Sequence, residues 1–276
     1  MPNDSATAWS RISGDTLLFP VVGHPAAQVR APAVLNAIFA RDGVDAVSFG
    51  LDLAPDQVEA TCRGLLLSPN VGGILVTVPY KKLLCGIVDR LGPDAAIAGA
   101  LNALRRARDG KLEGDLFDGV GFVRGLRAAG HEPAGRRVLL LGAGGAGAAI
   151  AAKLGDAGAA EVVLFDVTAQ AADALAAKLR SHAPSTLYRT QARPDAAGCD
   201  IVINATPVGL RADDPLPIDP AAFAPGTLVC DIIMKPPTTA LLHAAIARGL
   251  PVHRGAAMLD EQVPAYLAFF GIDHQP

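Results

Sequence analysis

Apolar residues fall in short runs separated by segments with helical spacing. Residues 16–23 form one such run and read as a strand, after which Pro32 opens a helix whose Val34, Leu35, Ile38 and Phe39 share one face. Val47, Phe49, Leu51 and Leu53 alternate with smaller or polar residues as in a second strand. A helix is expected from Pro55 to about Leu67, and a third strand over 73–78, stopped by Pro79. Strands alternating with helices favour a mainly parallel sheet covered on both faces. Asp109-Gly110, between segments 100–106 and 111–116, is instead the strongest short hairpin signal in the chain.

A second series opens with a helix from Asp118 to about Ala129. Strands are expected at 138–141, 161–165, 200–204 and 228–231, and helices at 146–154, 169–179 and 239–248. This is the pattern of a doubly wound nucleotide-binding domain. A last helix, about 259–270, is expected to return to the first domain. The expected division is therefore 1–117 plus 254–276 as a mainly parallel α/β substrate domain, and 118–253 as the nucleotide domain. The first dozen residues show no period and read as a loose arm.

Composition narrows the function classes. The 276 residues suit two domains, and 51% hydrophobic against 18% charged excludes a disordered chain. Twenty-four basic and 27 acidic side chains give a net charge of −3, so there is no excess of positive charge for nucleic acid or an anionic membrane surface. The uncharged run 138–152 is too short to span a bilayer. Cys62, Cys85, Cys199 and Cys230 lie far apart, and the six histidines show no ligand spacing. No metal is expected, the thiols read as free, and the cytoplasm is the expected compartment.

Gly142-Ala-Gly144-Gly-Ala-Gly147 follows an apolar strand and opens a helix, the context that makes this pattern a dinucleotide-binding (Rossmann) signature. Gly142 permits the tight turn, Gly144 lets backbone amides approach a pyrophosphate, and Gly147 lets the helix pack close to the strand. Asp166 ends the next strand about 24 residues after Gly142, where an acid bonds the adenosine ribose. A carboxylate there repels a 2′-phosphate, and Val167, Thr168, Ala169 and Gln170 bring no cation, so NAD is expected over NADP. The alternative is that Asp166 only caps the following helix. For proton transfer the candidates are Lys81, at the end of a buried strand, and Asp118, at the junction of the two series.

The segments Gly23-His-Pro25, Thr77-Val-Pro-Tyr-Lys81, Gly99-Ala-Leu-Asn102, Gly114-Asp-Leu-Phe-Asp118, Gly142 to Gly147, Asn204-Ala-Thr-Pro-Val-Gly209 and Met258-Leu-Asp-Glu-Gln262 together resemble the shikimate dehydrogenase family over nearly the whole chain. The resemblance implies two α/β domains and an oxidoreductase that interconverts a secondary hydroxyl and a ketone on shikimate, quinate or a related hydroxy acid. It implies Lys81 as acid/base with Asp118 as its partner, and Thr77, Asn102 and Gln262 on the substrate hydroxyls. Gly142, Ala143, Gly144, Gly145, Ala146, Asp166, Val167, Asn204, Ala205, Thr206, Pro207, Ile232, Gly255 and Met258 would line the cofactor. A place in aromatic amino acid biosynthesis, as a monomer or homodimer, is also implied.

The chain departs from that family pattern at the substrate. The Ser-x-Ser pair that bonds the carboxylate of shikimate is replaced by Val29 and Ala31. Leu75, Ala103, Leu116-Phe117 and Met234 likewise stand where the family carries hydroxyl or amide side chains. Gln28 and Arg30 in the altered loop either hold an anionic group in place of the serines or are simply solvated. Two rival readings remain at this point: a non-catalytic NAD-binding sensor with a degraded substrate pocket, and a dehydrogenase of similar architecture acting on a one-carbon folate or an amino acid.

Overall fold

The computed structural model describes residues 12–273; the expected arm, apart from Ile12, and His274 lie outside the described residues. The chain divides into two compact units, one of Met1–Ala95, Ala100–Asp115 and Tyr266–Pro276, the other of Ala96–Gly99 and Leu116–Ala265. The second unit thus extends beyond residue 253. Its extra segment begins α8 (Ala256–Phe270), which packs on α4 (Asp118–Ala128), where a side chain at Gly121 would collide with Met258 and Gln262.

The first unit holds a mixed sheet of β1 (Leu17–Gly23), β2 (Ala46–Asp52), β3 (Ile74–Val76), β4 (Arg90–Leu91), β5 (Ala103–Arg106) and β6 (Leu112–Asp115) in the order β2-β1-β3-β5-β6-β4. Strands β1, β2 and β3 run parallel, and the hairpin β5–β6 adds the antiparallel part expected from Asp109-Gly110. Helices α1 (Ala31–Asp42) and α2 (Val58–Leu65) belong to it as well, and α3 (Pro93–Ala98) begins in it. Of the expected α1 face, Leu35 and Phe39 are buried while Val34 and Ile38 are half-buried. Phe39 and Phe270 both pack on Phe19, with ring centroids 5.6 and 5.1 Å away.

The second expected strand forms as β2, and within it Ser48 is buried and Phe49 exposed while Val47 and Leu51 are half-buried. The reason is hydrogen bonding. The Ser48 hydroxyl donates to the Phe19 carbonyl at 2.8 Å, and its backbone exchanges bonds of 2.7 and 2.8 Å with the Asn36 side chain. With those polar groups satisfied, burying serine at this edge strand costs little, and the strand takes the register that allows it.

In the second unit β7 (Arg137–Leu141), β8 (Glu161–Phe165), β9 (Leu187–Thr190), β10 (Ile201–Asn204), β11 (Leu228–Asp231) and β12 (Val252–Arg254) form a fully parallel sheet ordered β12-β11-β10-β7-β8-β9. Helices α5 (Gly145–Asp156), α6 (Ala169–His182) and α7 (Ala240–Ala247) connect its strands. Strand order reverses between β8 and β10 on either side of β7, which places the topological switch point at the carboxyl end of β7. Apolar side chains on both faces, among them Val138, Leu140, Val162 and Ile203 on one and Leu139, Leu141, Val163 and Val202 on the other, bury the sheet. Short strands β4, β9 and β12 and helix α3 do not stand out in the hydrophobic pattern.

His253 on β12 is 5% exposed, stands edge-on to the Phe122 ring at 5.8 Å, and has no hydrogen-bond partner for its Nε2. Burial, aided by the nearby His131, lowers its pKa from the ordinary 6.5. Below pH 6.5 the unfolded chain therefore binds a proton that the folded chain resists, so stability rises with pH through that window and is lost on acidification. Thermal melts at pH 7 and pH 5 are expected to show a loss in the native protein that a His253→Phe variant shows to a smaller degree.

Candidate functional site

In the second unit the glycine-rich turn joins β7 to α5. Gly142 has φ +100, and its N–H donates to the Phe165 carbonyl at 2.7 Å. A side chain at Gly147 would collide with the Gly142 carbonyl, so the first turn of α5 lies directly on the strand end. At Gly144, by contrast, an added Cβ would meet nothing within 4 Å. Open space beside a bare backbone at a helix N-terminus fits the phosphates of a dinucleotide, because unpaired amides and the helix dipole both favour negative charge.

Asp166 is tied into this turn. Its Oδ2 accepts from the Ala143 amide at 2.7 Å and its Oδ1 from the Thr168 amide at 2.8 Å, so the carboxylate joins the glycine turn to the start of α6. The helix cap itself is Thr168, and the neighbouring Val167 is 94% exposed. Both Asp166 oxygens thus serve the backbone, a role that the ribose assignment does not include.

A buried polar cluster holds the opposite wall. Asn204 ends β10 and Asp231, its partner in register, ends β11. Asn204 Nδ2 donates to the Val208 carbonyl at 3.0 Å and to Asp231 Oδ2 at 3.1 Å, while its Oδ1 accepts from the Thr206 amide and hydroxyl at 3.1 and 2.6 Å. Asp231 also accepts from the Thr239 hydroxyl at 2.7 Å and the Ile233 amide at 3.0 Å. Burial raises the Asp231 pKa, and these three donors oppose the rise. The Asn204 side chain is therefore used up in shaping the loop 205–209, whose Ala205 amide also bonds the Leu141 carbonyl at 2.8 Å. Asp231 and Thr239 are supporting residues that spacing alone did not reveal; only the register of β10 against β11 pairs them with Asn204. Next to them, Gly255 lies against the Ile232 carbonyl too closely for any side chain, and its own carbonyl accepts from the Met258 amide at 3.2 Å.

Asp118, the first residue of α4, is 2% exposed and accepts from Gln262 Nε2 at 3.0 Å. The glycine at 121 lets α8 come close enough for this bond.

The first unit gathers Thr77, Lys81 and Asn102 around the carboxyl end of β3. Thr77 N–H donates to the Val22 carbonyl at 2.9 Å, and the Tyr80 amide closes a turn onto the Thr77 carbonyl at 3.0 Å. Tyr80 is buried and its hydroxyl bonds the Leu53 carbonyl, anchoring the turn that presents Lys81. The Lys81 carbonyl accepts from the Leu101 amide at 2.8 Å, which brings Lys81 beside the buried Asn102. The loop after β1 runs alongside: the His24 amide bonds the Val78 carbonyl at 3.2 Å, and His24 Nδ1 pairs with Asp52 Oδ1 at 2.7 Å. That bond, and the Ala26 amide on Asp52 Oδ2 at 2.9 Å, hold the Asp52 carboxyl below its ordinary range. Val29 packs over Gly50 of β2, whereas Gln28 is exposed and Arg30 partly so.

A parallel sheet with its glycine turn at the switch point defines the class: a dinucleotide-binding α/β protein. The family described as "Shikimate dehydrogenase substrate binding domain" matches residues 21–104, and "Shikimate / quinate 5-dehydrogenase" matches 127–209. The chain is 40% identical over 267 residues to a shikimate dehydrogenase (NADP(+)) of Rubrobacter xylanophilus, covering 95% of this chain and 94% of that one. It is also 40% identical over 263 residues to the protein of the same name from Acidiphilium cryptum, covering 95% and 93%. Among solved structures, a 5-ketofructose reductase of Gluconobacter sp. strain CHM43 superposes with a TM-score of 0.82 at 29% identity, covering 94% of this chain and 95% of that one. The chain belongs to the shikimate dehydrogenase family and is an oxidoreductase of the shikimate/quinate dehydrogenase type.

These relatives correct the cofactor expectation. Asp166 points to NAD, but the curated relatives at 32–40% identity are named for NADP(+). The physical basis of the NAD expectation also weakens once Asp166 is seen to bind the backbone amides of Ala143 and Thr168. Among the described residues no group of His, Cys, Asp and Glu could hold a metal, and no helix is long and apolar enough to cross a membrane.

Replacing Asp231 with Ala would leave Asn204 Nδ2, Thr239 Oγ1 and the Ile233 amide short of a partner. Denaturant unfolding of Asp231→Ala is expected to show a loss of roughly 2–5 kcal/mol, with weakened dinucleotide binding.

Proposed function

We propose that the chain is an NADP-linked dehydrogenase that interconverts a secondary hydroxyl and a ketone on a small polyhydroxylated substrate. Shikimate, quinate or a related hydroxy acid is the first substrate class, by analogy with the names of the relatives. The observation that carries the reading is the turn 77–81, which fixes Lys81 beside Asn102 and Thr77 at one strand end. When bound, the nicotinamide supplies or accepts the hydride. Proton transfer falls to the protein, in that the Lys81 ammonium gives a proton to the forming alkoxide, or as the free amine takes one from the hydroxyl. By analogy with the family, Asp118 is the acidic group of the proton step and bonds a substrate hydroxyl, its side chain held by the Gln262 amide. Thr77, Asn102 and Gln262 bond the remaining hydroxyls. The glycine turn, Ala205 to Pro207, Ile232, Gly255 and Met258 bind the dinucleotide. The domain boundary is proposed near Asp118. The names of the relatives give a non-catalytic sensor no support.

Lys81→Ala is expected to bind NADP as the native chain does and to lose turnover by about 10²-fold or more. Undiminished turnover would remove Lys81 from the proton step.

A second substrate reading has its own observation. The loop after β1 offers Val29 and Ala31, and Val29 packs over Gly50, so neither position presents a hydroxyl. A site without those donors suits an uncharged keto-sugar better than a carboxylate, in keeping with the likeness to a 5-ketofructose reductase. Initial rates with NADPH decide between them. On this second reading kcat/KM with 5-ketofructose exceeds that with 3-dehydroshikimate by at least about tenfold, and the reverse ratio restores the hydroxy acid.

A further inference from the structure

The 2′-phosphate that separates NADP from NAD is a dianion, and proteins recognise it with a cation or a fork of N–H donors. The turn from β8 into α6 lacks one. Asp166, Val167, Thr168, Ala169 and Gln170 contain no basic residue, and the only charge among them is negative. A cation must therefore come from elsewhere at the same sheet edge.

Strand β9 is the neighbour of β8 and runs parallel to it, so the two carboxyl ends emerge together about 4.8 Å apart. Pairing continues to Thr190 opposite Leu164, and the Gln191 amide still bonds the Leu164 carbonyl at 3.1 Å. The chain then leaves the sheet and bends at Ala192-Arg193. Arg193 thus lies beyond the end of β9, one strand from the Asp166–Thr168 turn, and it is exposed.

The other cations of this part of the unit are engaged. Arg189 and Arg137 pair with Glu161, Arg180 donates to the Tyr188 carbonyl, Lys153 pairs with Asp156, and Lys178 reaches the Ile97 carbonyl. The nearby acids are engaged as well: Asp173 accepts from the Thr190 hydroxyl and Asp195 from the Ala197 amide. Arg211 follows β10, on the far side of β7 from β8. Arg193 is left as the planar, permanently charged donor beside the ribose end of the cradle.

We propose that Arg193 recognises the 2′-phosphate of NADP in place of a cation on the β8–α6 turn. The assignment rests on the NADP reading of the site. It accounts for how a chain with Asp166 in this turn belongs among NADP-linked relatives: the guanidinium offsets the carboxylate and forms a bidentate pair with the phosphate.

Calorimetric titration of the whole chain with 2′,5′-ADP and with 5′-AMP tests this without turnover. The native protein is expected to prefer 2′,5′-ADP. Arg193→Gln is expected to weaken 2′,5′-ADP about tenfold or more while 5′-AMP binds within about twofold of native, and Arg193→Lys is expected to fall between. A native preference for 2′,5′-ADP that survives intact in Arg193→Gln overturns the assignment but leaves the NADP reading standing. No preference in the native chain overturns the NADP reading itself, and the role of Arg193 with it.

Discussion

A parallel strand that ends at a sheet edge leaves backbone amides and carbonyls without a ladder partner, and in this protein acidic and amide side chains satisfy them. Asp52 takes the Ala26 amide, Asp166 the amides of Ala143 and Thr168, Asn204 the Thr206 amide and Val208 carbonyl, and Asp231 the Ile233 amide. Each bond fixes a loop at the carboxyl end of its own strand or of a neighbouring one. The loops so fixed are the ones that carry the glycine turn, the segment 205–209 and the altered loop after β1. Unpaired buried groups cost more than single hydrogen bonds gain, so these side chains are committed to the backbone before any ligand arrives.

That commitment changes how the site residues are read. Asn204 and Asp166 belong to family-like motifs at the cofactor edge, yet their side chains are occupied by the chain itself. Their contribution to ligand binding is the shape they impose on neighbouring backbone. The same logic places the bare backbone at Gly144, beside open space, among the groups that meet phosphate directly. It also sets apart the charged side chains that the backbone does not use.

Much of the architecture was legible in the sequence. Segments 138–141 and 162–165 are continuous apolar runs, and the glycine spacing after the first of them has few other uses, so the class and position of the dinucleotide turn follow directly. The hairpin at Asp109-Gly110 was equally readable, because Gly110 at φ +83 meets a local demand. Strands β9 and β12 were not, since Leu187–Thr190 and Val252–Arg254 are short edge strands with no apolar run of their own. Strand β2 was readable as a strand, but not the burial of Ser48, which depends on the Asn36 and Phe19 partners that no periodicity encodes.

By itself, then, the sequence determined the two strand–helix series, the glycine turn, the candidate Lys81 and Asp118, and the family, since all of these rest on residue type and local spacing. Tertiary structure alone decided the pairing of Asn204 with Asp231, the bond from Gln262 to Asp118 across 144 positions, and the use of Asp166 as a brace. The physical reason is that a hydrogen bond depends on which strand ends and helices lie side by side. That neighbourhood is set by sheet order and close packing, neither of which is written in any single segment of the chain.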